Sequence, residues 1–275
     1  MPCILRPLYY CLLLHRIVIF PMTQEERQQI INLVKQEVIP AIGCTEPIAV
    51  ALCVAKATEV LGCRPEKISV FLSANILKNA MGVGIPGTGM IGLPIAVALG
   101  ALIGKSSYQL EVLKDSTPQA VEEGKAYLNE KRISIALKDD CTEKLYVEVV
   151  CEAGSSHSCA IISGEHTRFV YVSKDADVLL KEDVVADASA QEKTLNLTLH
   201  KVYDFALTAP LAEIAFILDT AKLNKAAAES SFKGNYGHSL GRMLKGDSEK
   251  RMMGNGTLSR ILSYTSGACD ARMAG

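Results

Sequence analysis

Apolar residues recur at helical spacing in the segment that follows residue 22. A row of Ile and Val residues between positions 30 and 38 shares one helix face, and the opposite face carries Glu, Gln and Arg. Thr23 and Glu26 have the spacing of a capping box, in which each side chain satisfies a backbone N–H of the other residue. The pattern therefore predicts a helix over 23–38, which ends before Pro40.

The next segments are apolar on most sides, as expected for buried helices. Residues 45–61 carry almost no charge, and Gly62 follows them in the position of a helix C-terminal cap. A second apolar helix is predicted over 91–103, after a glycine-rich loop. Residues 118–130 are amphipathic and begin with Pro118, which is tolerated at the first helical position.

A period of two replaces the helical period in the middle of the chain, where β-branched and aromatic residues are frequent. This pattern predicts strands at 68–74, 133–137, 144–151, 157–163 and 167–173. Residues 174–193 are charged and irregular and are predicted to be a linker. Helical spacing then returns at 196–207, 210–230, 236–245 and 257–265.

These elements predict an α+β protein in which a helical half is interrupted by an α/β insert domain with a mixed or antiparallel sheet. The expected divisions are N-terminal helices over 23–65, the insert over 66–193 and the returning helical half over 194–275. Residues 1–22 form an atypical apolar leader or reflect a misassigned start. Charged and polar residues interrupt its apolar run, which is shorter than the roughly 20 residues that span a bilayer, although a signal anchor stays open.

Charge and cysteine content narrow the function classes. The formal net charge of −1, with Lys and Arg scattered along the chain, gives no electrostatic footprint for nucleic acid, and no membrane partner is expected. The chain has 9 cysteines, an odd number without a C-x-x-C pair, so no zinc ribbon is predicted. A reducing, cytoplasmic location is expected.

Cys44 is the first candidate for chemistry. It lies in the sequence Gly-Cys-Thr-Glu-Pro at the start of the 45–61 helix, where backbone N–H groups and the helix dipole lower a thiol pKa. A reactive thiol is one interpretation. A small buried hydrophobic residue is the other, since free cysteine is among the most buried residue types.

A glycine-rich segment between positions 73 and 94 is the second candidate. Its loop allows backbone N–H groups to converge on a carboxylate or phosphate, but it matches neither the Walker loop nor the dinucleotide fingerprint. Turn formation and helix packing are the alternative roles of its glycines. The candidate substrate-binding residues of this segment are Asn75, Lys78, Asn79, Gly87, Thr88 and Gly89.

Several other polar residues are weaker candidates. His166, on a turn between strands, is a candidate for substrate binding or acid–base chemistry, with a solvated turn histidine as the alternative. Three cysteines that fall on predicted strands are interpreted as core thiols: Cys141, Cys151 and Cys159. Polar residues in small-residue helical segments are candidates to point into a site: Lys222, Asn224, Asp270 and Arg272.

Six segments occur here in the order found in the L-cysteine desulfidase family, which is related to the PLP-independent iron–sulfur L-serine dehydratases. They are PAIGCTEPIAVAL, SANILKNAMGVGIPGTGMIGLPIAVALGAL, LEVLKD, GEHT, FILDTAKLN and CDARM. The resemblance runs from about residue 28 to residue 275. Gly-Cys-Thr-Glu-Pro and Pro-Gly-Thr-Gly together are highly specific.

The resemblance implies a carbon–sulfur lyase with a helical catalytic half. L-cysteine would undergo α,β-elimination to sulfide, with pyruvate and ammonia formed by hydrolysis of the enamine. A [4Fe–4S] cluster would act as Lewis acid on the leaving sulfur, and Cys44 would take the α-proton. From the chemistry of the segment, we expect the polar residues and glycines between positions 75 and 89 to hold the substrate carboxylate, and His166 is a further candidate for substrate binding.

The resemblance also implies that the enzyme is incomplete in this chain. The family's cluster-binding cysteines lie beyond the position of Gly275, so no metal ligand is assigned here. A homo-oligomer or a separate C-terminal half is an expected partner. Two other functions stay open: an L-serine dehydratase-like deaminase, and a non-catalytic protein for small-ligand binding or subunit assembly.

Overall fold

A computed structural model describes residues 22–182, 196–250 and 256–274. The predicted leader therefore lies outside the described residues except for Met22, and so does most of the second half of the predicted linker. The helices are α1 (Gln24–Glu37), α2 (Thr45–Leu61), α3 (Ala74–Ala80), α4 (Leu93–Ile103), α5 (Pro118–Asn129), α6 (Leu199–Thr208), α7 (Leu211–Ile214), α8 (Ile217–Lys233), α9 (Leu240–Lys250) and α10 (Gly256–Ala274). The strands are β1 (Lys67–Leu72), β2 (Gly84–Ile85), β3 (Met90–Ile91), β4 (Ile133–Leu137), β5 (Tyr146–Ala153), β6 (Ser156–Ser163), β7 (Phe169–Lys174) and β8 (Asp177–Lys181).

The chain divides into two compact units. The first contains the described residues 22–39 and 196–218, and Ile30, Ile31 and Phe205 form its small core. Its first helix starts as predicted, since the Thr23 side chain accepts a hydrogen bond from the Glu26 backbone in a complete capping box.

The second unit is built around a six-stranded mixed sheet in the order β4-β1-β5-β6-β7-β8. Strand β4 pairs with β1 in parallel, and every other neighbouring pair is antiparallel. Alternate residues of β5 are buried, including Val147, Val149 and Cys151, which is the pattern of a sheet covered on one face. The predicted α+β class with a mixed sheet is confirmed.

Helix α2 covers this buried face. Its residues from Pro47 to Ala55 are all buried, and they share one core with α4 and with the inward residues of the strands. Close approach between α2 and α4 requires glycine, because a Cβ on Gly100 would lie 2.7 Å from the carbonyl oxygen of Ala51. Gly62 ends α2 in the left-handed conformation, as predicted.

The division into units differs from the predicted domains. The sequence assigned α2 to the helical half and the strands to an insert, but α2 and the strands form one core. Within the described residues, the observed divisions fall between residues 39 and 40 and between residues 218 and 219.

Four local predictions also differ from the structure. The predicted linker contains β8, which pairs with β7 although all of its residues are exposed. The single helix predicted over 210–230 is two helices, α7 and α8. The polar segment after β1 forms helix α3, which is capped by Ser73, and part of the glycine-rich loop is a β2–β3 hairpin. In the described parts of the chain, no helix combines the length and apolar character needed to cross a membrane.

Candidate functional site

Cys44 is the N-cap residue of α2. It is half-buried and extended, with φ −74° and ψ 136°, and the buried first turn of the helix follows it at once. Pro47 fits this first turn because a proline there loses no intrahelical hydrogen bond. The sulfur, however, caps no backbone N–H group of the helix. The Cys44 thiol therefore makes no capping hydrogen bond with the backbone at the start of the helix, which the sequence had suggested as its partner.

The Cys44 thiol points at the carboxylate of Glu46. It donates a hydrogen bond to Glu46 Oε2 over 2.9 Å, and the Thr45 hydroxyl donates to the same oxygen over 3.3 Å. Asn79 Nδ2 approaches the other oxygen, Oε1, at 3.4 Å from helix α3. Neutral donors from two helices and from the cap residue thus converge on one half-buried carboxylate.

This contact reverses the expected pKa of Cys44. Burial raises the pKa of the thiol, and the hydrogen bond to the Glu46 carboxylate raises it further, while the positive charge of Arg272 lowers it. The prediction of a thiol pKa lowered by the helix start is therefore wrong for this arrangement. At neutral pH the resting group is a thiol.

Glu46 stays charged in the same site. Burial alone would raise its pKa, but the hydrogen bonds from Cys44 and Thr45, the helix backbone and the charge of His166 lower the pKa of the carboxyl overall. His166, on the GEHT turn, is therefore close enough to Glu46 for its charge to act on the pKa of the carboxyl. The candidate site is defined here as Cys44, Glu46, Asn79 and His166.

Three of the segments that carry the family resemblance meet next to this site. Gly43 has φ +80°, and a Cβ on it would lie 2.7 Å from Cγ of Pro86 and 3.5 Å from the backbone oxygen of Arg272. Gly43 precedes Cys44, Pro86 opens the Pro-Gly-Thr-Gly turn, and Arg272 belongs to the CDARM segment. Residues far apart in the sequence therefore pack around the backbone of the candidate base.

The Gly-Thr-Gly turn has a structural role in this fold. The buried Thr88 hydroxyl donates to the carbonyl of Ile85 over 2.6 Å and accepts from the backbone N–H of Met90 over 3.0 Å. Both bonds close the β2–β3 hairpin, so the Thr88 side chain is occupied within its own turn. Gly87 and Gly89 adopt positive φ, and the space beside their Cα atoms is open.

The polar candidates of α3 separate into two groups. Asn79 reaches Glu46, as described above. Asn75 and Lys78 are exposed, and the described contacts do not bring them to the Cys44 thiol. Their predicted contact with a substrate stays a prediction.

The helical candidates occupy several places. Lys222 pairs with Asp219 on the surface, and Asn224 donates to a carbonyl of its own helix. Asp270 is buried and accepts a hydrogen bond from the N–H of Gly241 over 2.8 Å, which stabilises the first turn of α9. Asn224 and Arg272 both line a groove of about 320 Å³ along α8 and α10.

The other cysteines of the described residues are spread over the second unit. Cys53 and Cys151 are buried in the core, as predicted for Cys151, and Cys159 is half-buried on β6. Cys141 was predicted to be a core thiol on a strand. It lies instead half-buried in the loop between β4 and β5, outside both strands.

A [4Fe–4S] cluster does not fit the residues that the structure describes. Within them, no group of three His, Cys, Asp or Glu side chains is close enough to hold a metal ion. The described cysteines lie in different elements, and the buried pair is enclosed by apolar side chains. No reaction step is therefore assigned to a cluster.

Sequence reasoning missed Glu46 as a functional residue. The Gly-Cys-Thr-Glu-Pro motif was evaluated for its thiol alone, although the glutamate lies two positions further on in the first helical turn. A carboxylate so close to a thiol in sequence was the available signal, because a cap residue and the second helical residue can touch.

Curated proteins similar to this chain carry the name UPF0597 protein. The relative from Bacteroides fragilis (strain ATCC 25285) is 72% identical over 254 residues, which are 92% of this chain and 59% of the relative. The relative from Bacteroides thetaiotaomicron is 68% identical over 254 residues, with the same shares of both chains. The relative from Porphyromonas gingivalis is 47% identical over 260 residues, which are 92% of this chain and 60% of the relative.

These names specify neither an L-cysteine desulfidase nor an L-serine dehydratase, so the activity implied by the motifs stays a proposal. No model of a protein family matches the chain. No solved structure matches it. The chain is similar to UPF0597 proteins over 92% of its residues and spans about 59% of the length of the Bacteroides relatives.

Proposed function

We propose that this chain carries the proton-abstracting part of an L-cysteine desulfidase-type lyase, with Cys44 as the base. The reaction is the α,β-elimination of L-cysteine. Cys44 removes the proton from Cα, the electron pair of that C–H bond forms the Cα=Cβ bond, and the Cβ–S bond breaks to release sulfide. The enamine product then hydrolyses to pyruvate and ammonia.

The contact between Gly43, Pro86 and Arg272 is the observation that carries the proposal. The motifs behind the resemblance lie apart in sequence, and they pack against one another next to the half-buried Cys44. Structural glycines and prolines alone would not need a partly exposed thiol at their meeting point. A thiol that is held at a helix start and bonded to a carboxylate has the components of an acid–base pair.

The iron–sulfur cluster is implied by the resemblance alone. It would supply a Lewis acid for the leaving sulfur. The residues of this chain supply the base, its carboxylate partner and the packing around both. The same proposal extends to the full-length relatives, for which it gives L-cysteine as the substrate and desulfidation as the activity.

Release of sulfide and pyruvate from L-cysteine tests this function. The chain, extended to the full length of its Bacteroides relatives, is reconstituted anaerobically with iron and sulfide, desalted and incubated with L-cysteine. We expect sulfide and pyruvate in equal amounts, and a loss of about 100-fold or more in Cys44→Ala, the usual contribution of a general base. Cys63→Ala, which removes an exposed thiol, is the matched control and should keep the wild-type rate. Absence of sulfide release from the wild type, or equal rates in Cys44→Ala, would overturn the assignment.

A further inference from the structure

The carboxylate of Glu46 keeps a net negative charge inside the candidate site. The three donors described for it are the Cys44 thiol, the Thr45 hydroxyl and the Asn79 amide, which are all neutral groups. They orient both oxygens without cancelling the charge. A half-buried carboxylate of this kind favours a cationic ligand, because charge left unpaired in a poorly solvated place costs free energy.

The proposed base also requires such a ligand. A thiol bonded to an anionic carboxylate holds its proton, and a base has to be free of it. A positive charge next to Glu46 would offset the carboxylate and favour the thiolate. The charged or titratable side chains already acting on this pair are His166 and Arg272.

We propose that Glu46 binds the α-ammonium group of the amino-acid substrate and thereby couples substrate binding to deprotonation of Cys44. This inference rests on the proposed function, because it assigns the substrate's amine within the same site. The Cys44 S–H bond breaks and its proton passes to solvent when the ammonium group pairs with Glu46. The thiolate then takes the proton from Cα and becomes a thiol again.

Hydrogen bonds fix the position of the Glu46 carboxylate beside the Cys44 thiol. Asn79 and Thr45 hold the carboxylate from two sides, and Cys44 lies 2.9 Å from one of its oxygens. An ammonium group bonded to that carboxylate is therefore next to the sulfur. Cα, which is bonded to the same nitrogen, would lie within reach of the base.

Equilibrium binding of L-alanine tests the inference without the need for turnover. L-alanine has the ammonium and carboxylate groups of the substrate but no leaving group, and propionate lacks the ammonium group. We expect saturable binding of L-alanine to the wild type and an affinity about 10- to 100-fold weaker in Glu46→Gln, the loss expected for a bond to a charged group. Propionate should bind weakly to both. Glu165→Gln, which neutralises an exposed carboxylate beside His166, is the matched control and should bind L-alanine like the wild type.

A second measurement shows that Glu46→Gln acts through Cys44. The rate of alkylation of Cys44 by iodoacetamide, followed by peptide mass spectrometry, reports its thiolate at each pH. Without the carboxylate, the pH profile of Cys44 alkylation should move to lower pH in Glu46→Gln and stay in place in Glu165→Gln. A variant that merely fails to fold would instead expose the buried Cys53 to the reagent.

The outcomes separate this inference from the function on which it rests. Equal affinities of wild type and Glu46→Gln for L-alanine, or no binding to the wild type, would overturn the role of Glu46. If sulfide release still depends on Cys44 in that case, the desulfidase proposal stands alone. Loss of L-alanine binding in Glu46→Gln without any sulfide release from the wild type would mark an amino-acid site and overturn the desulfidase proposal.

Discussion

Gly43 packs against Pro86 so closely that a single added carbon atom would not fit between them. A Cβ on Gly43 would lie 2.7 Å from Cγ of Pro86, and Gly43 has a positive φ of +80°. The contact joins the residue before Cys44 to the first residue of the Pro-Gly-Thr-Gly turn. The position of the candidate base therefore depends on a backbone approach that only glycine allows.

Gly43→Ala should destabilise the protein more than a matched glycine variant. Gly87 has a similar φ of +76° but open space beside it, so Gly87→Ala tests the cost of the left-handed backbone alone. We expect a loss of about 1–2 kcal/mol in the free energy of unfolding for Gly87→Ala. Gly43→Ala should lose about 1–3 kcal/mol more through overpacking against Pro86. Urea denaturation of both variants measures the difference, and equal losses would contradict the contact.

The contact between α2 and α4 gives a second matched pair. Gly100→Ala places a Cβ against the backbone of Ala51, and we expect it to lower the free energy of unfolding by about 1–3 kcal/mol. Gly246 lies in α9 with open space around its Cα, so Gly246→Ala should be neutral or stabilising by up to about 1 kcal/mol, because alanine favours helices. Thermal melting separates the two, and a stabilised Gly100→Ala would disprove the close packing.

Local signals in the sequence were sufficient for many of the element boundaries. The capping box of Thr23 and Glu26 and the left-handed cap at Gly62 depend on residues within one helical turn, so they are readable without the fold. Strand β8, Asp-Val-Leu-Leu-Lys, was missed because its apolar residues do not alternate with polar ones and none is buried, so that it forms a strand only through pairing with β7. The hydrophobic pattern of such a segment does not show which strand it pairs with.

The candidate site was predictable in part, for the same reason. The sequence identified Cys44, Asn79 and His166 as separate residues of interest, but it gave no partner for any of them. Cys44 and Asn79 meet at Glu46 because α2 and α3 pack together, and His166 acts on the same carboxyl through its charge. The direction of the Cys44 pKa was wrong because the helix start was considered without this carboxylate.

Asp270 should matter for stability through α9. It is buried, and its carboxylate accepts a hydrogen bond from the N–H of Gly241 over 2.8 Å. Asp270→Ala leaves that N–H without its acceptor, and we expect a loss of about 1–3 kcal/mol in the free energy of unfolding. Asp219→Ala breaks an exposed ion pair with Lys222 and should cost at most about 1 kcal/mol. Similar losses in both variants, measured by urea denaturation, would contradict the role of Asp270.

We expect the protein to lose stability at alkaline pH, because the pKa values of two thiols in the sheet are raised by burial. Burial raises the pKa of Cys151 to about 12 and that of Cys159 to about 11. The unfolded chain then releases these protons at lower pH than the folded protein. Stability is therefore full below the unfolded thiol pKa of about 8.5 and falls as pH rises toward 11 and 12, by up to about 1.4 kcal/mol per pH unit for the buried Cys151 and by less for the half-buried Cys159.

Variants of single thiols test this pH dependence. Cys151→Ala should flatten the fall in unfolding free energy between pH 8 and 11, whereas Cys63→Ala, which removes an exposed thiol, should leave the slope as in the wild type. Urea denaturation at each pH gives the slopes. A Cys151→Ala variant with the wild-type slope would show that its burial does not control the alkaline transition.

Proton NMR in ²H₂O tests the role of Cys44 most directly, because it follows the α-proton of L-cysteine itself. The wild type, extended to the full length of its Bacteroides relatives and reconstituted, should remove this proton by exchange or elimination, so that its signal decays while sulfide appears. Cys44→Ala should slow the decay by about 100-fold or more, and Cys63→Ala should leave it unchanged. Decay of the α-proton signal at the wild-type rate in Cys44→Ala would contradict the assignment of Cys44 as the base.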